Sequence, residues 1–210
     1  MARMEDVIEV YHRPYDARRP QVCIDEVPVQ LVEEVRTPLR PGPGRPERYD
    51  YEYRRCGTAN LFIAFEPLLG WRAVRVTERR TAADFADFLR WVVGEVYDAA
   101  GRVVLVTDNL NIHTPGPLYE AFKPPVARVL AERIEWHYTP KHGSWLNVAE
   151  CELSALSRQC LSRRIGSIGE LRRQVDAWVD DRNHREVQVK WRFTTVDARI
   201  RLRRLYPSLQ

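Results

Sequence analysis

The stretch Arg102–Thr107 reads RVVLVT and runs straight into Asp108 and Asn109. A short, almost wholly apolar and β-branched run is the pattern of a strand buried on both faces. Sheets bury both faces by carrying helices on each side. Asp108 then stands at the C-terminal end of an inner strand, where open sheets with helical crossovers collect their functional groups.

Upstream of it, Thr81 is placed to cap a helix over Ala82–Ala100, with Phe85, Phe88, Leu89, Val92, Val93 and Val96 forming one apolar stripe and Gly101 ending it. Before that lie Gln21–Val32 (QVCIDEVPVQLV), Tyr51–Phe65 (YEYRRCGTANLFIAF) and Trp71–Thr77 (WRAVRVT). All three read as strands, and Glu66–Gly70 suits a hairpin between the last two. Arg36–Asp50, with Pro38, Pro41, Pro43, Pro46, Gly42 and Gly44, reads as loop.

Downstream, Pro115–Ala131 carries a short helix that Pro124–Pro125 must break or restart. Arg133–Tyr138 (RIEWHY) is a further strand and Thr139–Ser144 a turn. Asn147 caps a helix to about Arg163 whose inner face holds Leu153, Leu156 and Cys160. Helices are expected over Ile168–Asp181 and, with basic character, over Thr195–Leu205. Three meandering strands followed by helix, strand, helix, strand and helix imply an α/β fold with a mixed five-stranded sheet, because helical crossovers make the later pairings parallel.

Bulk properties suit one folded unit. In 210 residues, 44% are hydrophobic and 30% charged, which excludes a disordered chain. No apolar run approaches the roughly 20 residues needed to span a bilayer, so no membrane association and a cytoplasmic location are expected. Cys23, Cys56, Cys151 and Cys160 lack metal-site spacing and read as small apolar fillers. Arg158–Gln210 holds 13 Arg/Lys against 6 Asp/Glu; that surplus of +7 in a chain of net +4 leaves −3 for the rest. A basic end on a mildly acidic body suits contact with a polyanion. The arginines concerned are Arg163, Arg164, Arg172, Arg173, Arg199, Arg201, Arg203 and Arg204, and their alternative is a solvated helix face.

Burying a carboxylate without a partner is costly, so acids in or closing apolar strands call for explanation. Asp25 interrupts one such strand and Asp108 closes another. Converging there, they would repel unless a divalent cation neutralised them. Magnesium takes hard oxygen ligands, and a third carboxylate permits a second ion roughly 3.5–4 Å away, the arrangement of phosphoryl transfer. Each acid also has a plainer reading: Asp25 as an edge-strand residue facing water, Asp108–Asn109 as a turn start, Glu150 as the capping-box partner of Asn147 three residues earlier. Glu152 competes with Glu150 for the third position but lies about 200° around the helix. Glu150 shares the side of Leu146 and Leu153, which should pack toward the sheet. His113 and His142 are either proton-handling groups or hydrogen-bonded loop residues. Trp145 is either a base-stacking or an interface residue.

The blocks VCIDEVPVQL, EYRRCGTANLF, LVTDNLNIHTP and WHYTPKHGSWLNVAE resemble the DDE transposases of the insertion-sequence 630 branch of the mariner superfamily. The likeness covers roughly Arg19–Arg164 and extends loosely through WRFTTVDARIR. It implies an RNase H-like catalytic domain over 21–165, after an N-terminal remnant at 1–20 and before a basic helical segment at 166–210. Residue by residue, it makes Asp25, Asp108 and Glu150 the catalytic acids and metal ligands; 41 residues lie between the last two. Asn109, His113, His142, Trp145 and Asn147 are supporting candidates. The implied chemistry uses two Mg2+ or Mn2+ ions to cleave double-stranded DNA at transposon ends and join it to target DNA. Relatives carry an N-terminal helix-turn-helix region, whereas 24 residues precede Asp25. A separate helix-turn-helix polypeptide and a homodimer are therefore expected partners. The competing readings are a truncated relative that only binds DNA or forms dimers, and a nuclease of the same fold acting on hybrids or junctions.

Overall fold

The computed structural model describes residues 1–36, 42–46 and 50–206. Its five strands are β1 (Gln21–Glu34), β2 (Tyr53–Glu66), β3 (Trp71–Thr77), β4 (Val103–Thr107) and β5 (Ile134–Tyr138). They form one sheet in the order β3-β2-β1-β4-β5. The β1–β2 and β2–β3 pairs are antiparallel; β1–β4 and β4–β5 are parallel. This is the mixed RNase H-like sheet expected from the sequence, and it makes β1 the central strand. Asp25 pairs with Ile63 of β2, two residues beyond the last rung with β4, so it lies in a central strand and not in an outer one.

Period-2 alternation sends the two faces of each strand into different cores. Cys23, Leu31, Leu61, Ile63, Val104 and Val106 pack beneath α1 (Ala2–His12), α5 (Val148–Gln159) and α6 (Ile168–His184). Val22, Ile24, Phe62, Ala64, Val103 and Leu105 pack beneath α2 (Ala82–Trp91), α3 (Gly116–Ala121) and α4 (Pro124–Glu132). Every residue of β4 is buried, as a strand covered on both faces requires. The last helix, α7 (Thr195–Arg201), lies against α1.

Several boundaries differ from expectation, each for a tertiary reason. The helix begun at Thr81, which shares a capping box with Asp84, does not reach Ala100. It gives way at Val92–Val96 to a π-turn closed by Tyr97 N–H onto the Val92 carbonyl. Arg133 then takes the carbonyls of Tyr97, Asp98 and Ala100, so an arginine, not Gly101, ends this segment. Helix α5 stops at Gln159 instead of near Arg163, because the chain turns to lay the Ile165 carbonyl on Val32 N–H and Arg164 on Glu34. Helix α6 continues past Asp181 to His184, and the basic helix ends at Arg201 with a 3-10 turn over Arg203–Leu205.

Helix α1 was not expected. It buries Met4, Val7, Ile8 and Tyr11, an i, i+3, i+4, i+7 stripe. Of the anticipated Arg36–Asp50 loop, residues 37–41 and 47–49 lie outside the described residues, and Gly42–Arg45 forms a tight turn. The β2–β3 hairpin turns at Gly70, whose φ of +69° favours glycine. A Cβ there would also fall 2.6 Å from the Glu186 backbone. Among the described residues no helix is long and apolar enough to cross a membrane.

Candidate active site

The pairing Cys23↔Val106 is the last recorded rung between the parallel strands β1 and β4. Counting two residues on along each strand reaches Asp25 and Asp108. Asp25 shares the face of Cys23, which carries α5, and Asp108, just past the end of β4, stands at the same level with its carboxylate bonded to His113. Asn147 brings the third acid. Its Oδ1 accepts from Ala149 N–H at the start of α5 and its Nδ2 donates to the Ile24 carbonyl at 2.9 Å. The helix is thus fastened to β1 at the residue before Asp25. Asn147 caps through Ala149 alone, so the reciprocal capping box with Glu150 does not form. Glu150 lies half-buried on the first turn, while Leu146 and Leu153 pack into the core as expected.

Glu152, the rival third acid, has another role. It is 2% exposed and pairs with Arg182 at 2.7 Å and with fully buried Arg72 at 3.1 Å. These contacts tie α5 to α6 and β3. Burial, opposed by Glu152, brings the Arg72 guanidinium down to about 10.

Asp25 has no comparable partner among the described residues, whereas Asp108 faces His113. Asp25 accepts one hydrogen bond, from Glu26 N–H at 2.8 Å. Burial, then the charges of Glu26, Asp108 and Glu150, push its carboxyl up to about 7 against that single hydrogen bond. Asp25, Asp108 and Glu150 offer hard carboxylate oxygens, donors of the kind that suit Mg2+ or Mn2+. The set therefore fits a divalent cation in chemistry. As placed, no three His, Cys, Asp or Glu side chains among the described residues lie close enough to chelate one.

Asp108 differs from Asp25. His113 Nδ1 lies 2.5 Å from its Oδ1, which also accepts from Leu110 N–H. The His113 hydrogen bond holds its carboxyl below the usual range against burial. His113 is 1% exposed, and its Nε2 lies 2.9 Å from Glu26 Oε2. Burial opposes charge on this ring, yet hydrogen bonds to Asp108 and Glu26 together raise it to about 9. Arg80 pairs with the outer oxygen of Glu26 at 3.4 Å.

Of the other supporting candidates, Asn109 donates to the Thr139 carbonyl and accepts from Arg3. His142 is exposed in a left-handed conformation, φ 62°, in the loop before Trp145. Trp145 is 47% exposed and stacks on Trp191. Among the eight arginines, Arg164 binds Glu34 and the carbonyls of Asp50 and Glu52, and Arg199 pairs with Glu5. Arg172 reaches the Val76 carbonyl from an exposed position, and Arg163, Arg173, Arg201, Arg203 and Arg204 are exposed. Glu26 and Arg80 were not anticipated. Adjacent acids on a central strand point to opposite faces, so an Asp-Glu pair there signals a second buried carboxylate needing a partner.

A mixed sheet in the order β3-β2-β1-β4-β5 flanked by helices is an RNase H-like fold. The family described as DDE superfamily endonuclease matches residues 20–172, and the chain belongs to that family. Solved structures share the fold. The Mos1 transposase paired-end complex with left transposon end matches with 19% identity and a TM-score of 0.57, over 88% of this chain and 57% of that one. The Mos1 strand transfer complex matches with 19% identity and a TM-score of 0.56, over 89% and 57%. The Mos1 mariner paired end complex with Mn matches with 20% identity and a TM-score of 0.52, over 88% and 57%. The chain thus corresponds to 57% of the length of these relatives. No curated protein matches the sequence.

Proposed function

We propose that this chain is the catalytic core of a DNA transposase of the insertion-sequence 630 branch, cleaving transposon ends and transferring the freed strand to target DNA. One observation carries the reading: Asp25 on β1 and Asp108, just past the end of β4, lie at one level of the sheet, and Asn147, three residues before Glu150, fastens the start of α5 to Ile24. Family membership and the fold shared with Mos1 transposase complexes support it.

In this reading Asp25, Asp108 and Glu150 hold two Mg2+ or Mn2+ ions. When bound, such ions activate an attacking oxygen and stabilise the leaving oxygen of an in-line displacement. The protein supplies rigid placement: two acids from a buried central sheet, the third from a capped helix start. The exposed Arg163, Arg173, Arg201, Arg203 and Arg204 contact DNA phosphates without reading sequence, since guanidinium–phosphate pairs position a duplex and do not specify it. A homodimer pairs two transposon ends. The catalytic unit of 21–165 is completed by α1 and α6, which pack into the core of its sheet, and it acts in the cytoplasm.

The test is a supercoiled plasmid incubated with the protein and Mg2+ or Mn2+. Nicking that requires the ion and disappears in Asp108→Ala is the expected result. Equal nicking by Asp108→Ala overturns the assignment. Salt-sensitive DNA binding with no cleavage selects the non-catalytic reading.

A further inference from the structure

We infer that His113 and Glu26 are positioning residues that brace Asp108 through the sheet and present a single oxygen, Oδ2, to a divalent cation. The inference rests on the metal-binding reading above and assigns a task to two buried side chains which that reading leaves unused.

Asp108 ends its strand, and its side chain is 38% exposed. An acid so placed would exchange rotamers and offer either oxygen to water. Here Oδ1 takes both Leu110 N–H and His113 Nδ1. Two hydrogen bonds to one oxygen fix the plane of the carboxylate and leave Oδ2 for other partners.

His113 is itself held on every side. Thr107 Oγ1 lies 2.8 Å from Nδ1, the Phe85 ring packs with its centroid 4.8 Å away, and Glu26 takes Nε2. Glu26 is anchored by β1, where alternation puts it on the face opposite Asp25. The result is a closed ring running from Asp25 through one peptide bond to Glu26, across two hydrogen bonds by way of His113, to Asp108. The parallel β1–β4 pairing joins the two strands two residues before these acids, at Cys23↔Val106. The ring sets the spacing of Asp25 and Asp108 from the buried side of the sheet, where solvent cannot compete with its hydrogen bonds. Outer partners that orient a ligating carboxylate typically change metal affinity by about 10–100-fold when removed.

The experiment is a Mn2+ titration of the full chain followed by electron paramagnetic resonance, so the readout is ion binding and not cleavage. Wild type, Asp108→Ala, Glu26→Leu and His113→Asn are compared, with thermal melts to establish the temperature range in which each is folded. Glu26→Leu keeps the bulk but removes both acceptors of His113 Nε2, so it carries the test if His113→Asn does not fold; its melting temperature falls because His113 and Arg80 lose their carboxylate. The expected result is loss of binding in Asp108→Ala and an affinity about 10-fold or more weaker in Glu26→Leu, measured where the variant is folded. Wild-type affinity in Glu26→Leu together with loss in Asp108→Ala overturns the brace and leaves the metal reading standing. Wild-type affinity in Asp108→Ala overturns both.

Discussion

The Asn147 side-chain amide donates to the Ile24 carbonyl at 2.9 Å, so the start of α5 and the strand bearing Asp25 move as one body. Two tasks meet in this residue, since its other atom caps the helix. Asn147→Ala removes both and should cost about 2–3 kcal/mol, roughly 1 for the cap and the rest for an unsatisfied buried carbonyl. Asn147→Asp keeps the cap acceptor but cannot donate to Ile24. It should still cost at least about 1 kcal/mol, read by urea denaturation. An Asp variant as stable as wild type would show that the tether contributes nothing.

The two glutamates of α5 should separate stability from chemistry. Glu152→Gln leaves Arg72 and Arg182 buried without their carboxylate, and breaking such a pair costs about 3–5 kcal/mol. Glu150→Gln removes a charge from a repelling group and should shift stability by about 0.5 kcal/mol or less while abolishing nicking. Melting curves and plasmid assays on both variants decide the matter. Inactive, fully stable Glu152→Gln protein would reverse their roles.

These pairs mark where local sequence stops being informative. Asp108 was legible because an apolar run ended in an acid, and Asp25 because an acid broke an apolar strand. Helical phase sets Glu150 and Glu152 on different sides of α5 and the family resemblance favours Glu150 as the third acid, yet only the fold reveals Arg72 and Arg182 around Glu152. The Glu26–His113 contact joins residues 87 apart in sequence, which no local pattern encodes. The early end of α5 is likewise set by the distant pairing of Ile165 with Val32. Helix α1 is the opposite case, since Met4, Val7, Ile8 and Tyr11 carry helical spacing in plain view.

Acid should loosen the β5 edge first. Burial raises the Glu135 carboxyl, but hydrogen bonds with Arg13, His137 and Arg19 outweigh it and bring it to about 2, below its ordinary 4.5. A group with a depressed folded pKa stabilises the fold above its unfolded value and loses that contribution as pH falls through the folded one. The window therefore runs from about 4.5 down to about 2. Glu135→Gln should be less stable than wild type at pH 6, the two converging toward pH 2, in denaturation series. A constant difference over that range would show that Glu135 acts through packing alone.

Asp25 should behave in the opposite sense, and that gives a test of the site without DNA. Its folded carboxyl is raised from 3.8 to about 7 by burial and by neighbouring acids. The native state then holds a proton that the unfolded chain releases, so this group lowers stability progressively as pH rises from about 4 to about 7. Asp25→Asn should melt a few degrees higher than wild type at pH 8, with the gap closing by pH 4. Divalent cation should erase the difference from the other side. An ion that binds only the folded protein stabilises it by RT ln(1 + [L]/Kd), about 2.7 kcal/mol at 100 Kd. Mn2+ should raise the wild-type melting temperature at pH 8 and leave Asp25→Asn nearly unmoved, and chelation should reverse the rise. A wild type insensitive to millimolar Mn2+, or an Asn variant that responds equally, would mean that the carboxylates repel for some purpose other than holding a cation.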